Sequence, residues 1–417
     1  MAAPHQSSSR TAGGTRWPVV WVAFIAGVVA AAHIGKLPPA LPEIRAELNA
    51  SLVTAGWIAS MISATSFALG LAAGAIADRI GHRRVLVFGL VTLAAGSLLG
   101  AFAHSSDMML ASRFVEGLGF TSCVVAGGAI IARATAYEDR RWALGVWAAY
   151  MPVGFAGMLM ISALVVDRFG WRLLWGLGCA VTLACALAFL VVTAGWQRAQ
   201  QRSVQRDTIL RSVGLSLAVP GAVLVALTFG LYAAQHISMM NWLPTYMVEV
   251  HGSAALVSAG VPALVLAFNA GGSYLGGWAM GRGVPIWLLL LLGSVGMGIA
   301  EIGIVSAALP NELRLVIACG FGIAGGLIPA AALAAAPVYA PSPALIGAMG
   351  GLMVMGSNTG QLFGPPALAA GREYAGSWEG TLGLLLSLAV AAAILSVASR
   401  PMERRAARAA HLAETVK

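Results

Sequence analysis

The chain has 417 residues, 59% of them hydrophobic and only 10% charged, with a formal net charge of +9 and a mean hydropathy of +0.83. Soluble domains carry about 25% charged residues, so a soluble globular protein is excluded and an all-α polytopic membrane protein is indicated. The positive balance is not a nucleic-acid signal, because no basic patch is interleaved with a soluble fold.

In chain order, a polar tail over 1–17 precedes twelve expected spans: about 18–41, 52–76, 84–103, 108–132, 142–166, 173–195, 214–240, 255–280, 285–308, 314–339, 343–369 and 378–399. The first apolar run is too long for a signal-peptide core and has no Ala-x-Ala cleavage pattern, so it is expected to remain. A Gln- and Arg-rich linker, 196–213, separates a six-helix half (18–195) from a second (214–399), and a basic tail closes the chain at 400–417. With a cytoplasmic N-terminus, eighteen Arg and Lys fall on the inner side and six on the outer, with Arg113 inside a span. This positive-inside bias places both termini in the cytoplasm. Cys123, Cys179, Cys185 and Cys319 all lie in apolar runs without metal-ligand spacing, which argues against disulfides and zinc.

Gly74 to Arg84, GAIADRIGHRR, joins the second and third spans and reads as a tight loop at a membrane surface. Its Gly74, Asp78, Arg79, Gly81, Arg83 and Arg84 resemble the loop motif between the second and third helices of the major facilitator superfamily. The resemblance implies twelve transmembrane helices in two pseudo-symmetric six-helix halves. It also implies a gating role for these residues, in which Asp and Arg clamp cytoplasmic helix ends while the outer side is open. A topology-only role is the alternative. Gly277 to Arg282, GWAMGR, is a faint second copy in which Gly281 replaces the acid. Arg113 to Gly119, Gly170-Trp171-Arg172 and Gly360 to Pro366 resemble further family features. Met151-Pro152-Val153-Gly154 departs from the antiporter run of the fifth helix, and Asn241-Trp242-Leu243-Pro244 is closer to the uptake-type branches, including cyanate and nitroimidazole transporters.

Ionisable groups within spans are few and require a partner or water. At about 1.5 Å per residue, Lys36 and Arg113 fall roughly 8 Å deep, and His33 and Glu116 roughly 12 Å. Four charges thus share one layer, on helices one and four, which the resemblance places around a central cavity. Arg113 and Glu116 are three apart and can pair. They form either a structural salt bridge or a proton-coupling pair in which Arg113 holds an anionic solute. His33 and Lys36 are also three apart and form either a cationic wall or a snorkelling lysine with a backbone-bonded histidine. Pro38, Pro39 and Pro42 are expected to bend or end that helix. Glu301 is an isolated acid in span nine and a third coupling candidate, although the resemblance makes that helix peripheral and favours a structural or water-facing acid. Tyr232, His236, Asn241, Asn269, Asn358 and Gln361 are the neutral polar candidates of the second half, as cavity lining or as helix-packing contacts. Gly320, Gly322, Gly325 and Gly326 with Pro329 make helix ten thin and kinkable.

The expectation is a secondary active transporter of a small organic solute, anionic by the cationic layer and coupled to protons. It would work as a monomer in a bacterial inner membrane, with the lipid bilayer as its surroundings, without cofactor or metal. A proton-antiport drug or metabolite exporter is the alternative, and a non-transporting sensor a third reading. An enzyme is not expected, because no convergent nucleophile or metal set is visible.

Overall fold

The computed structural model describes residues 14–195, 214–306, 309–342 and 345–415, with the side chains of 69–75, 255, 311, 407 and 409–415 excepted. The start of the N-terminal tail and the expected linker 196–213 lie outside the described residues. Thirteen α-helices are labelled here in chain order. The first half holds α1 (Trp17–Gly35), α2 (Leu37–Glu47), α3 (Leu52–Ile80), α4 (His82–Ala101), α5 (Ser106–Ala134), α6 (Arg140–Ala148) and α7 (Tyr150–Val192). The second holds α8 (Pro220–His251), α9 (Ala255–Gly281), α10 (Ile286–Val305), α11 (Asn311–Tyr339), α12 (Ile346–Ala375) and α13 (Leu382–Thr415). Among the described residues there is no strand, as hydrocarbon demands of a chain that does not close a barrel.

Length and apolarity alone qualify nine of the described helices as spans. Three further crossings bring the number to twelve. Helix α7 is one 43-residue run broken at Gly170, whose φ of +76° a side chain would disfavour, so it crosses twice, first with α6 and then alone. Helices α3 and α12, interrupted by polar and small residues, supply the other two crossings.

Several expected boundaries move. The loop from Gly74 to Arg84 shrinks to one residue: α3 runs to Ile80, Gly81 turns the chain at φ +100°, and His82 opens α4. Asp78 and Arg79 therefore sit on a last helical turn rather than in a loop. Gly81→Ala is expected to destabilise the fold by about 1–3 kcal/mol, because this backbone region is nearly closed to side chains, a loss checked by thermal unfolding of the purified protein. The seventh span begins at Pro220 rather than 214 and reaches His251 through Pro244, ending where Gly252 adopts a left-handed conformation. The last helix continues to Thr415 through Pro401, across most of the segment expected as a tail. The prolines after Lys36 bend the first span without ending it: Lys36 is a one-residue joint between α1 and α2.

The first and last helices place one end of the bundle, called here the terminal face; the Gly81 turn shares it. There Asp78 accepts from Arg133 at 3.3 Å, tying α3 to α5, and Arg83 donates to Thr193 at 2.8 Å, tying α4 to the end of α7. Arg79 and Arg84 are exposed, and Gly74 lies among residues whose surroundings are not described. In the second half Glu403 caps the start of α10, accepting from the backbone N–H groups of Ile286 and Trp287 at 2.8 and 2.9 Å.

The two halves meet at the opposite face. Arg45 on α2 pairs with Glu249 on α8 at 3.4 Å, and Trp378 donates to the same carboxylate at 3.0 Å. Glu373 on α12 caps α3 across the divide, accepting from Leu52 N–H at 2.9 Å and Val53 N–H at 3.4 Å. Gly56 lies against the backbone of Pro365 and Pro366, and Trp57 meets Phe363 edge-on with centroids 6.0 Å apart.

Candidate functional site

The four charged residues of the expected layer come together in one buried cluster. Glu116, on α5, is its centre. One carboxylate oxygen accepts from Lys36 Nζ at 2.5 Å and lies 3.0 Å from His33 Nδ1; the other accepts from Arg113 Nη1 at 2.5 Å. None of the four residues is more than 2% exposed. Spacing of three on each helix puts His33 with Lys36, and Arg113 with Glu116, on single faces. The Lys36 joint turns its ammonium inward, so it does not snorkel.

Polar groups from neighbouring helices complete the accounting that burial demands. Lys36 Nζ donates to Ser97 Oγ on α4 at 2.8 Å and stands 4.3 Å from the centroid of the Trp175 ring on α7. Ser97 Oγ in turn donates to Trp175 O at 2.8 Å. Arg113 donates to His33 O at 2.8 Å and to Ile58 O on α3 at 3.4 Å, while its Nη2 has no partner among the described residues. Thr182 donates to Gly178 O at 2.7 Å, so its contact with His33 Nε2 at 2.8 Å is one in which the imidazole donates. His33 Nδ1 lies 3.1 Å from Lys36 Nζ and 3.0 Å from Glu116 Oε1, so it accepts from the ammonium in the neutral ring and would donate to the carboxylate in the imidazolium.

Two consequences follow from this count. Two full cations, Lys36 and Arg113, face one carboxylate, so the core of the first half carries one excess positive charge. Every partner belongs to the first half. The cluster thus lies inside that half. His33 and Lys36 also line a cavity of about 350 Å³ between α1 and α7 of that half. Ser97, Thr182 and Trp175 were not picked out from sequence, although a Ser and a Thr inside apolar spans were the available signal.

The second-half candidates do not form one polar site. Tyr232 and His236 stack at 5.3 Å, and the column continues to Phe229 and Phe321 at 5.9 and 6.0 Å. Asn269 donates to Tyr232 Oη at 3.2 Å and to Gly322 O at 3.3 Å. Asn241 bonds its own helix at Ile237 O, and Asn358 is half-buried. Gln361 accepts from Ser63 across the halves at 3.5 Å and donates to Ser357 at 3.1 Å. Helix α11 is unbroken through Pro329; its Gly322 and Gly326 let α9 approach to backbone contact. Glu301 is fully buried, and neither carboxyl oxygen has a partner among the described residues.

Two six-helix halves with a buried ionic core, joined at one face, define a multi-pass α-helical membrane protein of the transporter fold. The Major Facilitator Superfamily profile matches residues 22–341, and the chain belongs to that family. It is similar to the cis,cis-muconate transport protein of Acinetobacter baylyi, 25% identical over 56% of this chain and 59% of that protein's length. It is also similar to the cyanate transport protein of Escherichia coli, 25% identical over 74% of this chain and 78% of that one. A bacterial homolog of the human lysosomal transporter Spinster, solved in an inward-facing, unoccupied conformation, shares the fold with a TM-score of 0.76 at 16% identity. That match covers 95% of this chain and 98% of that one.

Proposed function

We propose that the protein is a secondary active transporter that moves a small organic anion across a bacterial inner membrane, coupled to protons, as a monomer. The observation that carries the anion is the excess positive charge in the core of the first half: two buried cations face one carboxylate. Its field reaches neighbouring space with little screening, because the four side chains are buried in a low-dielectric interior. Relatives named for cis,cis-muconate and cyanate transport support the same class. Alternating access is supported by the joint at one face, where a half-exposed ion pair and a helix cap are bonds that rocking could break at modest cost. With both termini in the cytoplasm, as the arginine bias requires, the closed face is the outer one and this conformation opens inward. The residues 1–17, 196–213 and 400–417 then form the cytoplasmic tails and linker.

In this reading Arg113 and Lys36 supply the field, and His33 and Glu116 hold them in register. The turn residues Asp78 and Arg83 brace the cytoplasmic ends of the first half through Arg133 and Thr193, with Arg79 and Arg84 exposed beside them. The test is proteoliposomes with an internal pH dye, challenged with a panel of small carboxylates. Substrate-dependent proton movement is the expected result, its sign separating symport from antiport. Silence with carboxylates but a response to lipophilic amines would replace this reading with a proton-antiport exporter.

A further inference from the structure

The two halves can be laid over one another residue by residue, because corresponding helices enter from the same face and rise equally. His33 is the seventeenth residue of α1, and His236 is the seventeenth of α8. Glu116 and Phe321 are each the eleventh of α5 and α11, and Ser97 and Glu301 each the sixteenth of α4 and α10. The contacts respect this correspondence. His33 touches Glu116 in one half, and His236 stacks on Phe321 in the other with rings 5° from parallel. The second half has thus kept the histidine, replaced Lys36 by Met239 and Arg113 by Ala318, and moved its acid from the fourth helix of the half to the third.

The direction of that acid follows from its own helix face. Met297, one turn before Glu301, points into the half: a Cβ on Gly325 of α11 would meet its Sδ at 3.4 Å and the Tyr232 ring at 3.2 Å. One turn beyond Glu301, Ile304 lines a cavity of about 250 Å³ that opens at the outer ends of α8 to α11. Ala318, one turn outward of Phe321, lines it as well, so the floor stands about one turn above Glu301. Polar groups run down from its rim. Arg314 bonds His251, His251 Nε2 lies 3.4 Å from Tyr246 Oη, and that hydroxyl reaches Ile304 O at 3.4 Å.

We propose that Glu301 is the proton-exchange site of this protein, reached from the outer face through the cavity bounded by Arg314, His251 and Tyr246. Glu116 is its fixed counterpart. This rests on the reading of the chain as a proton-coupled transporter and names the acid in it. Glu116 is held by Lys36 and Arg113 and faces His33, so protonating it would break charge-assisted bonds. Glu301 is fully buried and has no hydrogen bond to break among the described residues. The titratable and charged groups that line the cavity above it are Tyr246 and His251 from α8 and Glu312 and Arg314 from α11, while His236 stacks on Phe321 in the same half. Glu379 stands near His251 on the turn before α13, and α13 itself brings apolar Ala389 against Gly298.

Carbodiimide labelling tests the site without a substrate. Dicyclohexylcarbodiimide adds to protonated carboxyl groups in apolar surroundings, and peptide mass spectrometry locates the adduct in the intact protein in detergent. The expected result is an adduct on Glu301 that fades as pH rises, none on Glu116, and a slower reaction in Ala318→Trp, which fills the cavity floor. Equal labelling of both acids, or none on Glu301 at any pH, overturns the proposal. In proteoliposomes Glu301→Gln is expected to lose solute-driven proton movement while solute exchange continues; retained proton movement would overturn it too. A wild type that labels at Glu301 but moves no solute would instead refute the transporter reading and leave the acid standing as a proton site.

Discussion

Glu116→Ala is expected to destabilise the protein by about 3–5 kcal/mol, the cost of leaving buried charges without their counter-ion. Lys36 and Arg113 would then face each other in a buried site, with Ser97, His33 Nδ1, two carbonyls and the Trp175 face as their remaining partners. Thermal unfolding of the purified protein checks this, and a double-mutant cycle separates charge from packing. Lys36→Met combined with Glu116→Ala removes one charge of each sign, so the double variant should lose clearly less than the two single losses added together. If Glu116→Ala lies within about 0.5 kcal/mol of wild type, as a surface substitution would, the cluster is not the structural core described here. Glu116→Gln, which keeps an acceptor for one cation, should fall between.

Gly56→Leu is expected to open the outer face. A Cβ at Gly56 would stand 2.6 Å from Pro366 Cα, 2.8 Å from Pro366 N and 2.9 Å from Pro365 O. These are backbone atoms of a helix in the other half, and no rotamer change can clear them. Overpacking of this kind costs about 1–3 kcal/mol, here charged only to the conformation in which the halves touch. As a bias between two states, that is roughly 5- to 150-fold. A cysteine placed at Ser63, just below the contact, in a background free of the four native thiols should react faster with a membrane-impermeant maleimide when Gly56→Leu is present. Solute transport should fall, because a carrier held open to one side cannot complete a cycle. Unchanged labelling with unchanged transport would mean that the α3 and α12 contact is not the gate.

The same contact shows why some of this architecture was readable from sequence and some was not. Apolar run length and the arginine bias depend only on chain order and the hydrocarbon thickness. Spans, halves and family motifs were therefore legible, and the family match agrees with them. The boundaries that moved did so for local reasons that the apolar pattern does not encode. Gly81 takes a positive φ and lets two helices nearly abut, Pro220 fixes a helix start, and a basic segment continues the last helix past Arg400.

For the site, sequence alone determined which residues share a helix face: Arg113 with Glu116, His33 with Lys36, Tyr232 with His236. Spacing along one helix is a local property fixed by 3.6 residues per turn. Only the tertiary structure decided what those faces meet. How far each helix is rotated about its axis depends on packing against every neighbour, and no single segment contains that information. The rotation of α1 and α5 turned their charges into the first half and closed them with Ser97, Thr182 and Trp175. The rotation of α10 set Glu301 in the second half, one turn beneath the outer cavity and without a hydrogen-bond partner among the described residues.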